Sequence, residues 1–275
     1  MQNILYNICM NIGIIYKKEK LKDETVVTHL QGDFLKRGIR VQVLSSYEEI
    51  AQKDIVIVLG GDGALLHAAR YAAKSGTKVI GINYGTLGFL TEYESKDTDK
   101  VVSLICDNRY TVLKRTIMEV RCGEKKAYAL NEVSLHRNAL APSAKQLIEF
   151  RAEMDGKFVD DILSDGLVVC TPTGSTAYSL SAGGSILSPD VPAFMLTPLC
   201  AFSLRSRPIV YSDSKQLSIT VHRERDKALL FCDGKYFCEA AYGDKIIVQK
   251  AAFTADFIQG EDSNFFEKIN SKFGK

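Results

Sequence analysis

Gly60-Gly61-Asp62-Gly63 combines the residue types in this sequence that are best placed to do chemistry. It follows the apolar run Ile55-Val56-Ile57-Val58-Leu59 and leads into Ala64-Leu65-Leu66-His67-Ala68-Ala69-Arg70. That order predicts a buried strand, a glycine turn and the start of a helix. Glycines let a backbone approach a ligand closely and take positive φ. The first N–H groups of a helix are ready donors to phosphate. Asp62 is out of place in a pure phosphate cradle, because a carboxylate repels phosphate. The combination points to metal binding or to handling of a hydroxyl proton, and so to phosphoryl transfer. A plain strand-to-helix turn in which Asp62 caps the helix fits the same residues. No Lys-Ser/Thr follows the glycines, as a P-loop requires, and the spacing is not that of GxGxxG.

A second segment is rich in hydroxyls and glycines. The apolar strand Leu167-Val168-Val169-Cys170 runs into Thr171-Pro172-Thr173-Gly174-Ser175-Thr176-Ala177-Tyr178-Ser179-Leu180-Ser181-Ala182-Gly183-Gly184. These residues offer many hydrogen bonds with little bulk, and Tyr178 adds a flat surface for a base. A structural loop capped by its own hydroxyls reads equally well. Asn131-Glu132 pairs an amide with a carboxylate, which can read a base edge or ribose hydroxyls.

The elements that position these residues fall into two rhythms. Residues 8–16, 39–44, 54–59 and 78–83 read as strands, with a helix over 21–36, a capping-box start at Ser46 and Glu49, and a helix from the glycine turn to near Gly76. Such βαβα alternation predicts a parallel sheet with helices on its faces. Ligands bind beyond the carboxyl ends of such strands, where Asp62 and the loop Asn83-Tyr84-Gly85-Thr86-Leu87-Gly88 fall. From about Thr116 the pattern changes to period-two strands, as in residues 148–154, with tight turns at Asp155-Gly156 and Asp233-Gly234. Residues 216–222 and 245–250 read as further strands of the same kind. The expected fold is an α/β N-terminal domain with a parallel sheet, residues 1–112, and a mostly antiparallel all-β domain, residues 113–251. The tail, about 252–275, carries a short amphipathic helix over 265–273 that packs back on the first domain.

Composition narrows the class. A net charge of +2 gives no case for a nucleic-acid surface. No apolar run reaches membrane-spanning length, and residues 1–15 lack the basic flank and cleavage site of a signal peptide. The seven cysteines are odd in number and scattered, with no CxxC pair and no histidines at zinc spacing. These features predict a reduced, cytoplasmic protein without a structural metal, and no residue set stands out as metal ligands.

Taken together, the segments resemble the NAD kinase family. The resemblance rests on Gly60-Gly61-Asp62-Gly63 with its helix, on Gly81-Ile82-Asn83 with Gly85-Thr86-Leu87-Gly88-Phe89-Leu90, on Asn131-Glu132, and on Ser164-Asp165-Gly166 continued through Gly184. It runs in order from about residue 54 to Cys232-Asp233-Gly234. The glycine–aspartate turn alone is shared with diacylglycerol kinases and phosphofructokinases, whereas the long hydroxyl segment is not.

The resemblance implies transfer of the γ-phosphoryl of ATP, or of polyphosphate, to the 2′-hydroxyl of the adenosine ribose of NAD, with Mg²⁺ or another divalent ion accompanying the donor. Asp62 then becomes the catalytic group. Asp62, Gly63, His67, Asn131, Glu132, Asp165, Thr176, Ala177, Tyr178, Ser179, Leu180 and Ser181 become NAD-binding, and Gly60 and Gly61 hold donor phosphates. A homodimer or homotetramer is implied, with no membrane or nucleic-acid partner. Three positions depart from the family pattern: His67 and Leu163, where arginine is often found, and Lys235, often glutamine. Two other readings are a lipid or diacylglycerol-type kinase sharing the glycine–aspartate turn, and a non-catalytic NAD(P)-binding regulator.

Overall fold

The computed structural model describes residues 10–20, 24–84, 88–138, 147–224 and 226–274. Of the segments singled out above, residues 8 and 9 of the first strand, 21–23 of the first helix and 85–87 of the second loop lie outside the described residues. The chain divides into two compact units, residues 1–115 with 253–275, and residues 116–252.

In the first unit β1 (Ile12–Tyr16), β2 (Val41–Val43), β3 (Ile55–Leu59) and β4 (Lys78–Asn83) form a parallel sheet in the order β4-β3-β1-β2. Every residue of β3 is buried, as parallel strands covered on both faces require. Helix α1 (Thr25–Lys36) sinks Val27, Leu30 and Phe34 into a core shared with Ile12, Ile14, Ile57 and Ile80. Helix α2 (Asp62–Ala72) starts at the glycine turn. It lies close on β4 because Gly81 has no side chain: a Cβ there would stand 2.6 Å from Leu65 and 2.9 Å from Thr91. A two-residue strand, β5 (Tyr93–Glu94), pairs with the end of β4. Helix α3 (Thr98–Cys106), which the sequence reading passed over, buries Val101, Val102 and Ile105.

The second unit is antiparallel. Its strands are β6 (Thr111–Cys122), which begins in the first unit, β7 (Lys125–Ala129), β8 (Glu132–Arg137), β9 (Ile148–Met154), β10 (Lys157–Ser164) and β11 (Gly166–Cys170). A 3-10 turn (Thr173–Thr176) and the single-turn helix α4 (Tyr178–Ser181) precede β12 (Ala193–Leu199), β13 (Ile209–Ser212), β14 (Leu217–Val221), β15 (Lys227–Cys232), β16 (Lys235–Ala241) and β17 (Lys245–Gln259). One sheet runs β13-β12-β11-β8-β15-β16; the other strands run β10-β9-β14-β17, with β6 pairing β17 and β7. Phe150, Ile162, Leu217 and Ile219 meet Leu135, Leu167, Val169 and Phe194 in one core between the sheets. Asp155 (φ 49) with Gly156 (φ 75), and Asp233 (φ 48) with Gly234 (φ 72), form the two tight hairpin turns, the positive-φ pair that matches strand twist. An α/β half with a parallel sheet and a mostly antiparallel β half is the fold class read from the sequence.

The chain then returns to the first unit. Asp256 and Phe257 near the end of β17 pair in parallel with Lys78 and Val79 of β4. Helix α5 (Phe265–Phe273) begins at Asn264, whose Oδ1 accepts the N–H groups of Phe266 at 2.9 Å and Glu267 at 3.4 Å. At 12 and 15 residues, β6 and β17 are longer than the short strands expected of this half.

Candidate active site

In the first unit the site is built on the carboxyl end of β3. Gly60 donates its N–H to the Ile82 carbonyl at 2.9 Å, which ties the turn to β4. Asp62 is the first residue of α2, and its carboxylate does not cap its own helix. It reaches the segment 88–91, accepting the N–H of Phe89 at 2.6 Å on Oδ2 and the N–H groups of Leu90 and Thr91, each at 3.1 Å, on Oδ1. The Thr91 hydroxyl adds a fourth donor at 3.2 Å and accepts the Gly88 N–H at 3.0 Å. Gly88 is required by this packing, because a Cβ at that position would stand 1.8 Å from Asp62 Oδ1.

Arg115 is buried nearby with its guanidinium 5.1 Å above the Phe257 ring. Burial pulls it down to about 10, with Glu92 and Asp62 working against that loss, so it stays a cation at neutral pH beside two carboxylates. A Cβ on Gly63 would meet nothing within 4 Å, which leaves that face of the turn open. His67 stands further along α2 between Tyr47 and Tyr71, with ring centroids 4.3 and 5.2 Å away. Its imidazole is a member of an aromatic group.

In the second unit the residues Asn131 and Glu132 are clamped from two sides. Asp233, in its hairpin turn, accepts the backbone N–H groups of Leu130 at 2.9 Å, Asn131 at 2.8 Å and Glu132 at 3.2 Å. From the other side the Thr171 hydroxyl donates to the Leu130 carbonyl at 2.5 Å, and the Thr171 N–H to that of Asn131 at 2.9 Å. Gly174 lies flat against this backbone, where a Cβ would be 2.1 Å from the Asn131 oxygen. The hydroxyl-rich segment therefore folds round the Asn-Glu pair.

Clamping the backbone leaves two side-chain acceptors buried. Among the described residues Asn131 Oδ1 and Glu132 Oε2 have no hydrogen-bond partner. Burial and the neighbouring Asp233 push the Glu132 carboxyl up to about 7, against the N–H of Tyr178. Buried polar atoms are normally satisfied, so this pair suits a ligand bearing hydroxyl or amino donors. Beside it Tyr178 is partly exposed and stacks on His136, with centroids 5.8 Å apart at 16°. Phe231 and Tyr236 continue the aromatic row. Burial lowers the His136 imidazole, so it is neutral at pH 7.

Thr176, Ala177 and Leu180 are half-buried and Ser181 is exposed. Ser179 is fully buried, and its hydroxyl pairs with that of Thr197 at 2.9 Å. Asp165 accepts Arg137 Nε at 2.8 Å at the partly exposed end of β10 and β11. Leu163 lies on β10, and Lys235 begins β16 after the exposed turn. Sequence reasoning missed Asp233 as a clamp and His136 as a stacking partner. The Asp-Gly hairpin and the alternation of β8 carried part of that signal.

Known proteins match both halves. The ATP-NAD kinase N-terminal domain matches residues 12–110, and the ATP-NAD kinase C-terminal domain matches residues 130–260. An NAD kinase of Carboxydothermus hydrogenoformans is 37% identical over 237 residues, covering 84% of this chain and 83% of its own. One of Methanothermobacter thermautotrophicus is 31% identical over 276 residues, 96% of each chain. The crystal structure of yeast NADH kinase complexed with NADH superposes with a TM-score of 0.80 at 27% identity, over 96% of this chain and 87% of that one. An Archaeoglobus fulgidus NAD kinase in complex with ATP, at 24% identity and a TM-score of 0.77 over 96% and 98%, shares the fold. With a family domain matching each half, the chain belongs to the ATP-NAD kinase family.

Proposed function

We infer that the chain is an NAD kinase, an enzyme that phosphorylates NAD to NADP with ATP as donor. The observation that carries the assignment of its catalytic group is the Asp62 carboxylate, fixed by four donors at the mouth of a glycine turn. Oδ1 takes three of those donors and Oδ2 one. Of the roughly four acceptor directions of a carboxylate, the one left on Oδ2 receives the 2′-hydroxyl of the adenosine ribose. The hydroxyl oxygen then attacks the γ-phosphorus, the bond from that phosphorus to the β–γ bridging oxygen breaks, ADP leaves, and the hydroxyl proton passes to Asp62 Oδ2. In a loose phosphoryl-transfer transition state the nucleophile loses its proton late, so orientation matters more than basicity. A carboxylate with fixed rotamers supplies that orientation.

The Gly60 and Gly61 backbone holds donor phosphates, and open space at Gly63 admits the dinucleotide. Asn131 and Glu132 receive adenosine and ribose donors on their buried oxygens, while Tyr178, backed by His136, stacks on a ring. Thr176, Ala177, Leu180 and Ser181 line the same pocket, Asp165 lies toward the nicotinamide half, and His67 serves the α2 face. Among the described residues no three His, Cys, Asp or Glu side chains converge as a metal cage. A divalent ion accompanying ATP would offset the charge of the donor phosphates.

Among the described residues no helix is long and apolar enough to cross a membrane, and the assignment is to the cytoplasm. Copies associate through edge strands of the second unit, where Phe158 on β10 and Val210 on β13 are exposed.

Asp62→Asn tests the central role. Asparagine keeps the size but turns an amide donor toward backbone donors. Turnover should fall by about a hundredfold or more, with the NAD dissociation constant, read by calorimetry, within about threefold of wild type. Near-normal turnover would remove Asp62 from the mechanism.

A further inference from the structure

The segment 88–91 that holds Asp62 is itself held from the C-terminus of the chain. Immediately after Thr91, which is fully buried, Glu92 places Oε1 where three side chains converge on it. Gln259 Nε2 donates at 2.9 Å, Ser263 Oγ at 2.6 Å and Lys268 Nζ at 2.8 Å. The Lys268 and Glu92 side chains are only 14% and 11% exposed, so the charges attract with little solvent screening. Two further contacts join the same pieces. Phe273 of α5 packs on Phe89, with centroids 5.6 Å apart. Tyr93 fits beneath Gly260, where a Cβ would stand 2.5 Å from the phenol oxygen. No residue of α5 is fully buried: Phe265 and Ile269 are half-buried, and Phe266 and Phe273 are exposed. Its best-made contacts go to the stretch 89–93.

We propose that the C-terminal segment 259–273 is a strap that sets the position of Asp62, and that Lys268 is its main positioning residue. The chain of contacts is Lys268 to Glu92, Glu92 through the backbone to Thr91 and Leu90, and those amides to the Asp62 carboxylate. Lys268 does not touch substrate; it fixes the donors that fix the catalytic carboxylate. The proposal rests on the kinase reading for its kinetic consequence, but its structural half can be read without any activity.

The test uses the full chain with Lys268→Met, Lys268→Arg and Asn264→Ala, the last of which uncaps α5 without touching Glu92. Lys268→Met should lower kcat about tenfold, since an ångström-scale misplacement of a reacting group costs up to a hundredfold. KM for NAD and for ATP should stay within about twofold. Lys268→Arg should recover most of the loss, and Asn264→Ala should show a smaller loss of the same kind. Hydrogen–deuterium exchange of the peptide covering residues 88–94 should be about tenfold faster in Lys268→Met than in wild type. That gain would appear even if wild type made no NADP, a result that would sink the kinase reading alone. Unchanged exchange, an unchanged kcat in an active wild-type background, or a raised KM at constant kcat would overturn the strap.

Discussion

Glu132 gives the sharpest quantitative expectation. Its carboxyl is buried, and burial with the neighbouring Asp233 raises it from 4.5 to about 7. A raised carboxyl is held protonated by the fold, so its contribution is fully kept below pH 4.5, where folded and unfolded chains are both protonated. As pH rises toward 7 the unfolded chain ionises and the folded one does not, and stability is lost. At about 1.4 kcal/mol per pH unit the loss saturates near 3 kcal/mol above pH 7. Glu132→Gln keeps the shape and removes the charge, so it should stabilise the ligand-free protein, and only at higher pH. With a urea m-value of about 3 kcal/mol/M, the variant's midpoint should exceed wild type by roughly 1 M at pH 8 and by little at pH 5. Paired urea titrations at the two pH values measure this directly. An equal midpoint difference at pH 5 and pH 8, or none at either, would refute the claim that burial holds this carboxyl neutral.

Two glycine substitutions test the Asp62 loop and the Asn131-Glu132 clamp separately. Gly88→Ala forces a methyl group to within 1.8 Å of Asp62 Oδ1, so steady-state kinetics should show kcat reduced about a hundredfold or more, with NAD binding retained. Gly174→Ala drives a methyl against the Asn131 carbonyl at 2.1 Å. It should destabilise the protein by about 1–3 kcal/mol in urea titrations and weaken NAD binding by calorimetry about tenfold. Either variant behaving as wild type would show that the corresponding close approach does not matter.

What the sequence made legible was local. The glycine turn, the all-apolar β3 and the hairpins at Asp155 and Asp233 each follow from a few adjacent residues, and all are present. The period of α3, with Val101, Val102 and Ile105 on one face, was equally readable and was passed over. What stayed hidden was long-range. The donors to Asp62 lie 27 to 29 positions away, Asp233 clamps a backbone 101 to 103 positions away, and Lys268 meets Glu92 across 176. Hydroxyl density along 171–181 could not say which side faces a ligand. Ser179 turns inward to Thr197, while Tyr178 beside it faces out. The Asp62 turn itself read either as a helix cap or as a catalytic loop. Only the fold shows its carboxylate leaving its own helix for the 88–91 amides.

The most direct measurement is product formation by the purified wild-type chain supplied with NAD, ATP and Mg²⁺, with the dinucleotide analysed by mass spectrometry and phosphorus NMR. The expected products are equimolar ADP and NADP, with the new phosphate as a monoester on the adenosine ribose. ATP consumed without a phosphorylated dinucleotide, or NAD bound and left unchanged, would contradict the assignment.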